Sequence, residues 1–224
     1  GKLTTGWETV SDRFVTVLVD LDEEEATWSR LAKRARRYVR QARKTGLSAS
    51  FGHDIDRFFP TYAASMKRLG SPAYGRPFFA RLVQHLGDQA MIGIARHGQA
   101  VVAVDFLVCH KDCLYTLFAG SDPASWHLRS HYFLLWEELA WACRHGLSRF
   151  DFGRSRVGSQ ALMFKEAWGG RVVPINYQYG LFRTEQIPHI SPDVFPYNLA
   201  SRAWRRLPNR LAGALGPPLM KHLH

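Results

Sequence analysis

The sequence predicts an α+β fold: a mixed, largely antiparallel sheet flanked by helices. Three observations carry this reading. Segments of alternating apolar residues are interspersed with segments of three- and four-residue apolar spacing. The strands AMIGIARHG and QAVVAVDFLVCH meet at His97, Gly98 and Gln99, and KDCLYTLFAG follows a Lys111–Asp112 turn, so three antiparallel strands form a meander. A helical stretch from Ser130 to Arg144 then separates that meander from the strand Arg149 to Phe152, which lets the flanking strands pair in parallel.

The remaining elements follow in order. Arg13 to Leu21 alternates as a strand. Asp22 opens an acidic first turn, and Trp28, Leu31, Ala35, Tyr38 or Val39, and Ala42 form one apolar stripe, which predicts a single long helix ending at Gly46. LSASFG reads as a strand. Asp54 starts a helix whose buried face is Phe58, Phe59, Tyr62, Met66 and Leu69, and Gly70 stops it. Another helix spans Phe78 to Leu86, and SDPASWHLRS reads as a loop. Leu134 or Leu135, Leu139 and Ala142 build the apolar face of the Ser130 helix. RVVPINYQYGLF is a further strand. The stretch beyond Arg183 is rich in proline and basic residues, with an amphipathic helix around Leu199 to Leu207.

Of the 224 residues, 46% are hydrophobic, enough for a sizeable core. No run of eighteen apolar residues predicts a transmembrane helix, and GKLTTGWETVSD shows no signal-peptide pattern. Cys109, Cys113 and Cys143 form no CxxC, so they read as small buried hydrophobes in a reducing compartment. The net charge is +11 and uneven. Ser29 to Lys44 holds eight basic residues and no acidic one, and Arg202, Arg205, Arg206 and Arg210 form a second cluster. Such fields favour phosphate-rich partners, while a solvated helix face is the plain alternative.

The densest chemistry lies in RFDFGRSRVGSQALMFKEAWG, Arg149 to Gly169. A strand ending in Gly153, followed by Arg154, Arg156 and Gly158 and then by a short helix carrying Lys165, brings backbone N–H groups and cations toward one point. That suits a phosphate or carboxylate. Lys165 is the first candidate, for a phosphate or a developing oxyanion, against a plain surface lysine. Arg154 and Arg156 are anion binders with bidentate reach. Asp151, at a strand end, orients an amine or acts as base, or else caps the turn or pairs with Arg154. Trp168 stacks on an acceptor ring or belongs to the core. Tyr115 and Asp105 lie in central strands that either face a cleft or do not. His127 and His131 stand at ligand spacing with no third ligand near them, so no metal site is expected.

Three segments together resemble FemAB-type transferases, particularly the FemAB-like proteins of PEP-CTERM/exosortase systems. They are RARRYVRQARKTGL (Arg34 to Leu47), the Ser130–Gly146 helix feeding FDFGRS, and FKEAWG (Phe164 to Gly169). The resemblance implies a GNAT-like (acyl-CoA N-acyltransferase) fold and transfer of an aminoacyl or acyl group to an amine of a cell-envelope or exopolysaccharide precursor. It implies a cytoplasmic enzyme, at the inner face of the membrane. Lys165 and Asp151 would then be catalytic. Arg154, Arg156, Gly153, Gly158, Trp168 and Tyr115 would bind substrate, and Arg34, Arg37, Arg40 and Lys44 would bind tRNA or phosphate.

The family has two GNAT-like domains, so residues 1–21 read as the end strand of a preceding domain. Residues 22–46 read as a basic linking helix, 47–182 as the acyltransferase domain and 183–224 as an extension. Two departures are visible: Gly158, Ser159 and Gln160 replace GTG-like residues, and Gly170 to Pro174 replaces a phenylalanine-acid-proline run. SWHLRSHYF, where CoA-using relatives carry a Q/R-x-x-G-x-G/A loop, has no glycine. The expected donor is therefore aminoacyl-tRNA before acyl-CoA, with no cofactor assigned. Two other readings stand beside the enzyme: a degenerate module that grips a phosphate-rich partner, and peripheral docking on anionic membrane through the basic C-terminal helix.

Overall fold

The computed structural model describes residues 7–180 and 197–220. Its elements in chain order are β1 (Trp7–Val10), β2 (Phe14–Asp20), α1 (Glu24–Arg30), α2 (Lys33–Arg43), β3 (Leu47–Gly52), α3 (Ile55–Leu69), α4 (Arg76–Leu86), β4 (Ala90–His97), β5 (Ala100–His110) and β6 (Cys113–Ser121). Then come α5 (Ser130–Arg144), β7 (Arg149–Asp151), β8 (Ser155–Arg156), α6 (Gln160–Glu166), β9 (Arg171–Pro174), β10 (Tyr177–Gly180), α7 (Tyr197–Arg206) and α8 (Asn209–Met220).

The main sheet runs β3-β4-β5-β6-β7-β2-β8, with β9 on the other edge of β2. β6 and β7 pair in parallel, and the other pairs are antiparallel. This is the expected mixed sheet, with α5 as the crossover between its parallel strands. Strand β2, expected above to close a preceding domain, lies inside this sheet. It is held by β7 and β8 on one side and β9 on the other, because Val15, Val17 and Val19 all enter the core.

The sheet buries both faces. On one, Val15, Val17, Val19, Leu107, Leu114, Phe150 and Phe152 pack with Leu135, Trp136 and Leu139 of α5 and with α1, α2 and α6. On the other, Ile92, Ile94, Val104 and Phe106 meet Phe58, Tyr62 and Phe79 of α3 and α4. Helix α3 starts where predicted, Asp54 accepting from the Arg57 N–H at 3.0 Å, and ends at Gly70 in the left-handed region.

Several expectations are corrected. The single long helix from Asp22 to Gly46 is two helices, because Leu31 adopts extended backbone (ψ 142°) and buries its side chain. The break lets the Ala32 N–H donate to the Ala167 carbonyl at 3.1 Å, docking the α1–α2 joint on the end of α6. RVVPINYQYGLF is two short strands, β9 on β2 and β10 on β1; its last two residues lie outside the described residues. The loop SDPASWHLRS contains a 3₁₀ helix, Pro123–Leu128, capped by Asp122. Of the proline-rich tail, Arg183 to Pro196 lies outside the described residues, and α8 follows the expected C-terminal helix. Cys113 is buried, whereas Cys109 and Cys143 are half-buried.

Trp168 belongs to the core and is unavailable to stack on a ligand. It is 0% exposed, and its ring lies against Tyr132 with centroids 5.8 Å apart. Replacing it by alanine is expected to cost about 3–5 kcal/mol of folding stability in denaturant titration, and phenylalanine substantially less. A Trp168→Ala chain of unchanged stability would contradict this placement.

Candidate active site

The site forms where β6 and β7 part. Their parallel pairing covers only Cys113↔Arg149, Leu114↔Phe150 and Tyr115↔Asp151. β6 then continues to Ser121, whereas the chain after Asp151 turns away at Gly153 into β8. Gly153 has φ +67°, and a Cβ there would lie 2.4 Å from the Thr116 carbonyl oxygen, so both conformation and space demand glycine.

Helix α6 holds this turn. The Lys165 Nζ donates to the carbonyls of Phe152 (2.6 Å), Gly153 (2.9 Å) and Arg154 (3.3 Å). An ammonium has three donors, so all are engaged. Burial pulls the Lys165 pKa down to about 8, against the charges of Asp151 and Asp105, which raise it; at neutral pH it is an ammonium. FKEAWG is thus a positioning motif. Phe164 stacks on His131 with centroids 5.7 Å apart, Lys165 ties the turn, and Trp168 anchors the core.

Asp151 accepts from the Thr16 hydroxyl and, at 2.7 Å, from the Gly153 N–H, so it fixes the turn as the capping alternative anticipated. Arg154 donates to the Tyr177 hydroxyl at 2.9 Å and lies 4.8 Å over the Phe14 ring. Arg156 is half-buried in β8, Gly158 (φ +73°) borders open space, and Tyr115 is half-buried beside Asp151.

A second cluster lies beneath the start of α5. Asp105 of β5 is fully buried and faces His131, whose Nε2 lies 3.2 Å from Oδ2. Burial pushes the His131 pKa down, but the Asp105 charge and hydrogen bond outweigh it, and the net shift is upward. Nδ1 has no partner among the described residues.

One more α5 residue reaches this cluster from two turns away: Glu138 is also fully buried. Neither of its carboxyl oxygens finds a hydrogen bond of normal geometry among the described residues. Burial, and then the adjacent Asp105 charge, raises its pKa well above the carboxylate range, so Glu138 carries the proton of the pair. Gly93, in register with Asp105, makes room for it: a Cβ there would lie 2.6 Å from Glu138 Oε1.

His131 lines a cavity of about 310 Å³ together with Ser121, Trp126, Arg129, Ser130, Tyr132 and Phe164. Arg129 turns the chain into α5 with φ +57°, rare for a residue with a side chain. Its guanidinium lies 4.4 Å from the Tyr38 ring centre, and that of Arg37 lies at 5.0 Å. The Tyr38 pKa is lowered, first by a hydrogen bond from Arg37 and further by the charges of Arg129 and Arg34. Arg34, Arg37 and Arg129 thus form one positive corner at the cavity. Of the other two basic candidates, Arg40 lies over Trp28 at 5.5 Å, and Lys44 is exposed past the end of α2.

The sequence reading therefore found the turn and missed the dyad. His131 and Glu138 occupy the same apolar stripe of α5 as Leu135, Leu139 and Ala142, and charge on such a stripe was the available signal.

Residues 29–166 match the family model of the acetyltransferase (GNAT) domain, and the chain belongs to that family. Its fold is similar to that of FemX, with a TM-score of 0.65 at 13% identity over 75% of this chain and 61% of FemX. It is also similar to the C-terminal domain of a protein assigned as a lysylphosphatidylglycerol synthetase from Agrobacterium fabrum (TM-score 0.57, 15% identity, 77% of this chain and 61% of that one). The L-PGS of Bacillus licheniformis gives a TM-score of 0.56 at 12% identity, over 93% of this chain and 67% of that one. The chain thus spans about 61% of the length of FemX. No curated protein matches it by sequence.

Two outcomes follow from this geometry. Lys165→Met removes hydrogen bonds from a charged group and is expected to cost about 1.5–3 kcal/mol in chemical denaturation; no change would contradict the tie on the turn. In an NMR titration His131 is expected to titrate above its ordinary value of about 6.5. Because the folded-state pKa is raised, the pair stabilises the fold below the unfolded pKa, and that contribution is lost as pH rises through the folded one. Asp105→Asn leaves burial and the Lys165 charge acting on the imidazole, both of which lower its pKa, so it is expected to fall below 6.5. An unmoved His131 would contradict the dyad.

Proposed function

We propose that the chain is an N-acyltransferase carrying an aminoacyl or acyl group from an activated ester or thioester to an amine. The observation that carries the reading is His131, held by buried Asp105 in the wall of a cavity that Arg129 also lines, with Arg34 and Arg37 gathered beside Arg129 around Tyr38. In the reaction the acceptor nitrogen attacks the donor carbonyl carbon, and His131 Nδ1 takes the nitrogen's proton. The tetrahedral intermediate collapses with cleavage of the donor C–O or C–S bond, and the leaving oxygen or sulfur receives that proton. Asp105 holds the imidazole through Nε2 and stabilises the imidazolium. The arginine corner takes the donor's phosphates. Lys165, its donors engaged, contributes positive charge near the developing oxyanion rather than a hydrogen bond. Asp151 acts as a positioning group for the turn.

The preferred donor is aminoacyl-tRNA. The turn into α5 is made by Arg129 rather than by a glycine loop that would admit a pyrophosphate against backbone N–H groups. The resemblance of the Arg34–Leu47, Ser130–Gly146 and Phe164–Gly169 segments to FemAB-type transferases motivates this choice, together with an acceptor amine on a cell-envelope or exopolysaccharide precursor in the setting of a PEP-CTERM/exosortase system. On the same resemblance a second GNAT-like domain completes the acceptor side of the cleft.

The alternative, a phosphate-binding module without turnover, draws on the saturated donors of Lys165. One experiment separates the two: labelled acyl transfer from aminoacyl-tRNA, and in parallel from acyl-CoA, to an amino-sugar peptide acceptor. His131→Ala is expected to lower turnover by about 10²–10⁴-fold with donor binding retained. Donor binding without transfer in the unaltered chain would favour the module. Transfer from acyl-CoA alone would overturn the donor assignment.

A further inference from the structure

Residues 197–220 contain Arg202, Arg205, Arg206 and Arg210 and no acidic residue. One side of α7–α8 is docked on the body. The Ser201 hydroxyl donates to the Gly70 carbonyl at 2.9 Å, Arg205 donates to the Leu69 carbonyl at 3.2 Å, and Trp204 is buried. Ala212 and Gly216 are buried on α8, and a Cβ on Gly216 would lie 3.0 Å from the Ala73 carbonyl oxygen.

Another side carries unpartnered leucines. Leu211, Leu215 and Leu219, four residues apart along α8, are 50%, 46% and 42% exposed, and Leu199 of α7 is 60% exposed. Arg202 and Arg206 share the side of α7 that holds Leu199, away from Trp204. Single exposed leucines are ordinary, but a stripe of three on a helix pair whose charges are all basic is not.

We propose that α7–α8 is an interfacial anchor for an anionic bilayer: the leucines enter the headgroup–acyl boundary and the arginines pair with lipid phosphates. Among the described residues no helix is long and apolar enough to cross a membrane, so the pair lies in the interface plane. Charge decides among occupants. A second copy meeting through this face in two-fold symmetry would set arginines against arginines, and a nucleic acid would use the arginines but leave the leucines in water. The positive field continues onto the body. Lys67 and Arg68 of α3 line a groove of about 380 Å³ with Arg205 and Asn209, and Arg68 lies 4.9 Å over Trp126, a wall of the His131 cavity. A bilayer bound at α7–α8 therefore adjoins that cavity. The inference does not depend on the acyl-transfer reading.

The test is co-sedimentation of the purified chain with phosphatidylcholine vesicles, with and without phosphatidylglycerol. Binding is expected to be about tenfold stronger with the anionic lipid and to weaken with salt. Leu211→Gln with Leu215→Gln, and separately Arg202→Gln with Arg206→Gln, are each expected to reduce it about tenfold at unchanged melting temperature. Equal binding to both vesicle types, or retention in the leucine pair, would overturn the proposal. So would self-association of the unaltered chain that the leucine pair abolishes, since the face would then join two copies. Binding to tRNA in place of vesicles would overturn it as well.

Discussion

Asp105 places a carboxylate on a central strand with no access to water, and the neighbouring sequence is arranged around that constraint. An isolated buried charge is costly enough that it must be met by a partner or be neutralised. His131 supplies the partner from the first turn of α5, and Glu138, two turns on, gives up its own charge rather than add a second. The space comes from small residues on the flanking strands, Gly93 on β4 and Ala119 on β6, both in register with Asp105. A larger residue at position 93 would meet the Glu138 carboxyl directly. This polar contact directs the His131 imidazole at Asp105, while the leucines around it pack α5 on the sheet.

The second fixed point is the turn after β7. Asp151 holds it from within, through the Gly153 N–H and the Thr16 hydroxyl, and Lys165 holds it from α6 through three carbonyls. Because Phe164 precedes Lys165 and stacks on His131, one turn of α6 registers the parted strands against the α5 dyad. Cavity, dyad and turn are therefore tied to one another by direct contacts, the kind of pre-organisation that favours groups facing a developing charge.

Local patterns made much of the fold legible. The hairpins around Gly98 and Lys111, the Asp54 cap, the Gly70 stop and the crossover helix each depend on residues close in sequence. The break at Leu31 was hidden because the apolar stripe runs through it, and the hydrogen bond that accompanies it joins Ala32 to Ala167, far along the sequence. The site divided in the same way. Gly153 and Lys165 were visible because a glycine turn and a lysine-bearing helix are contiguous motifs. Asp105 and His131 come from different elements and meet only when the sheet is assembled, so neither was assigned a role by spacing. Trp168 suited either a ring-stacking role or the core, and only its full burial decides for the core.

The most direct measurement is the pH dependence of kcat/KM for acyl transfer from aminoacyl-tRNA, in the unaltered chain and in Asp105→Asn. The account predicts an acid limb with an apparent pKa above the ordinary histidine value, because neutral His131 is the base and Asp105 raises its pKa. In the variant that limb should move downward while the rate at its plateau falls. A limb that stays in place when Asp105 is neutralised, or a rate without an acid limb, would contradict the assignment of the dyad to the chemistry.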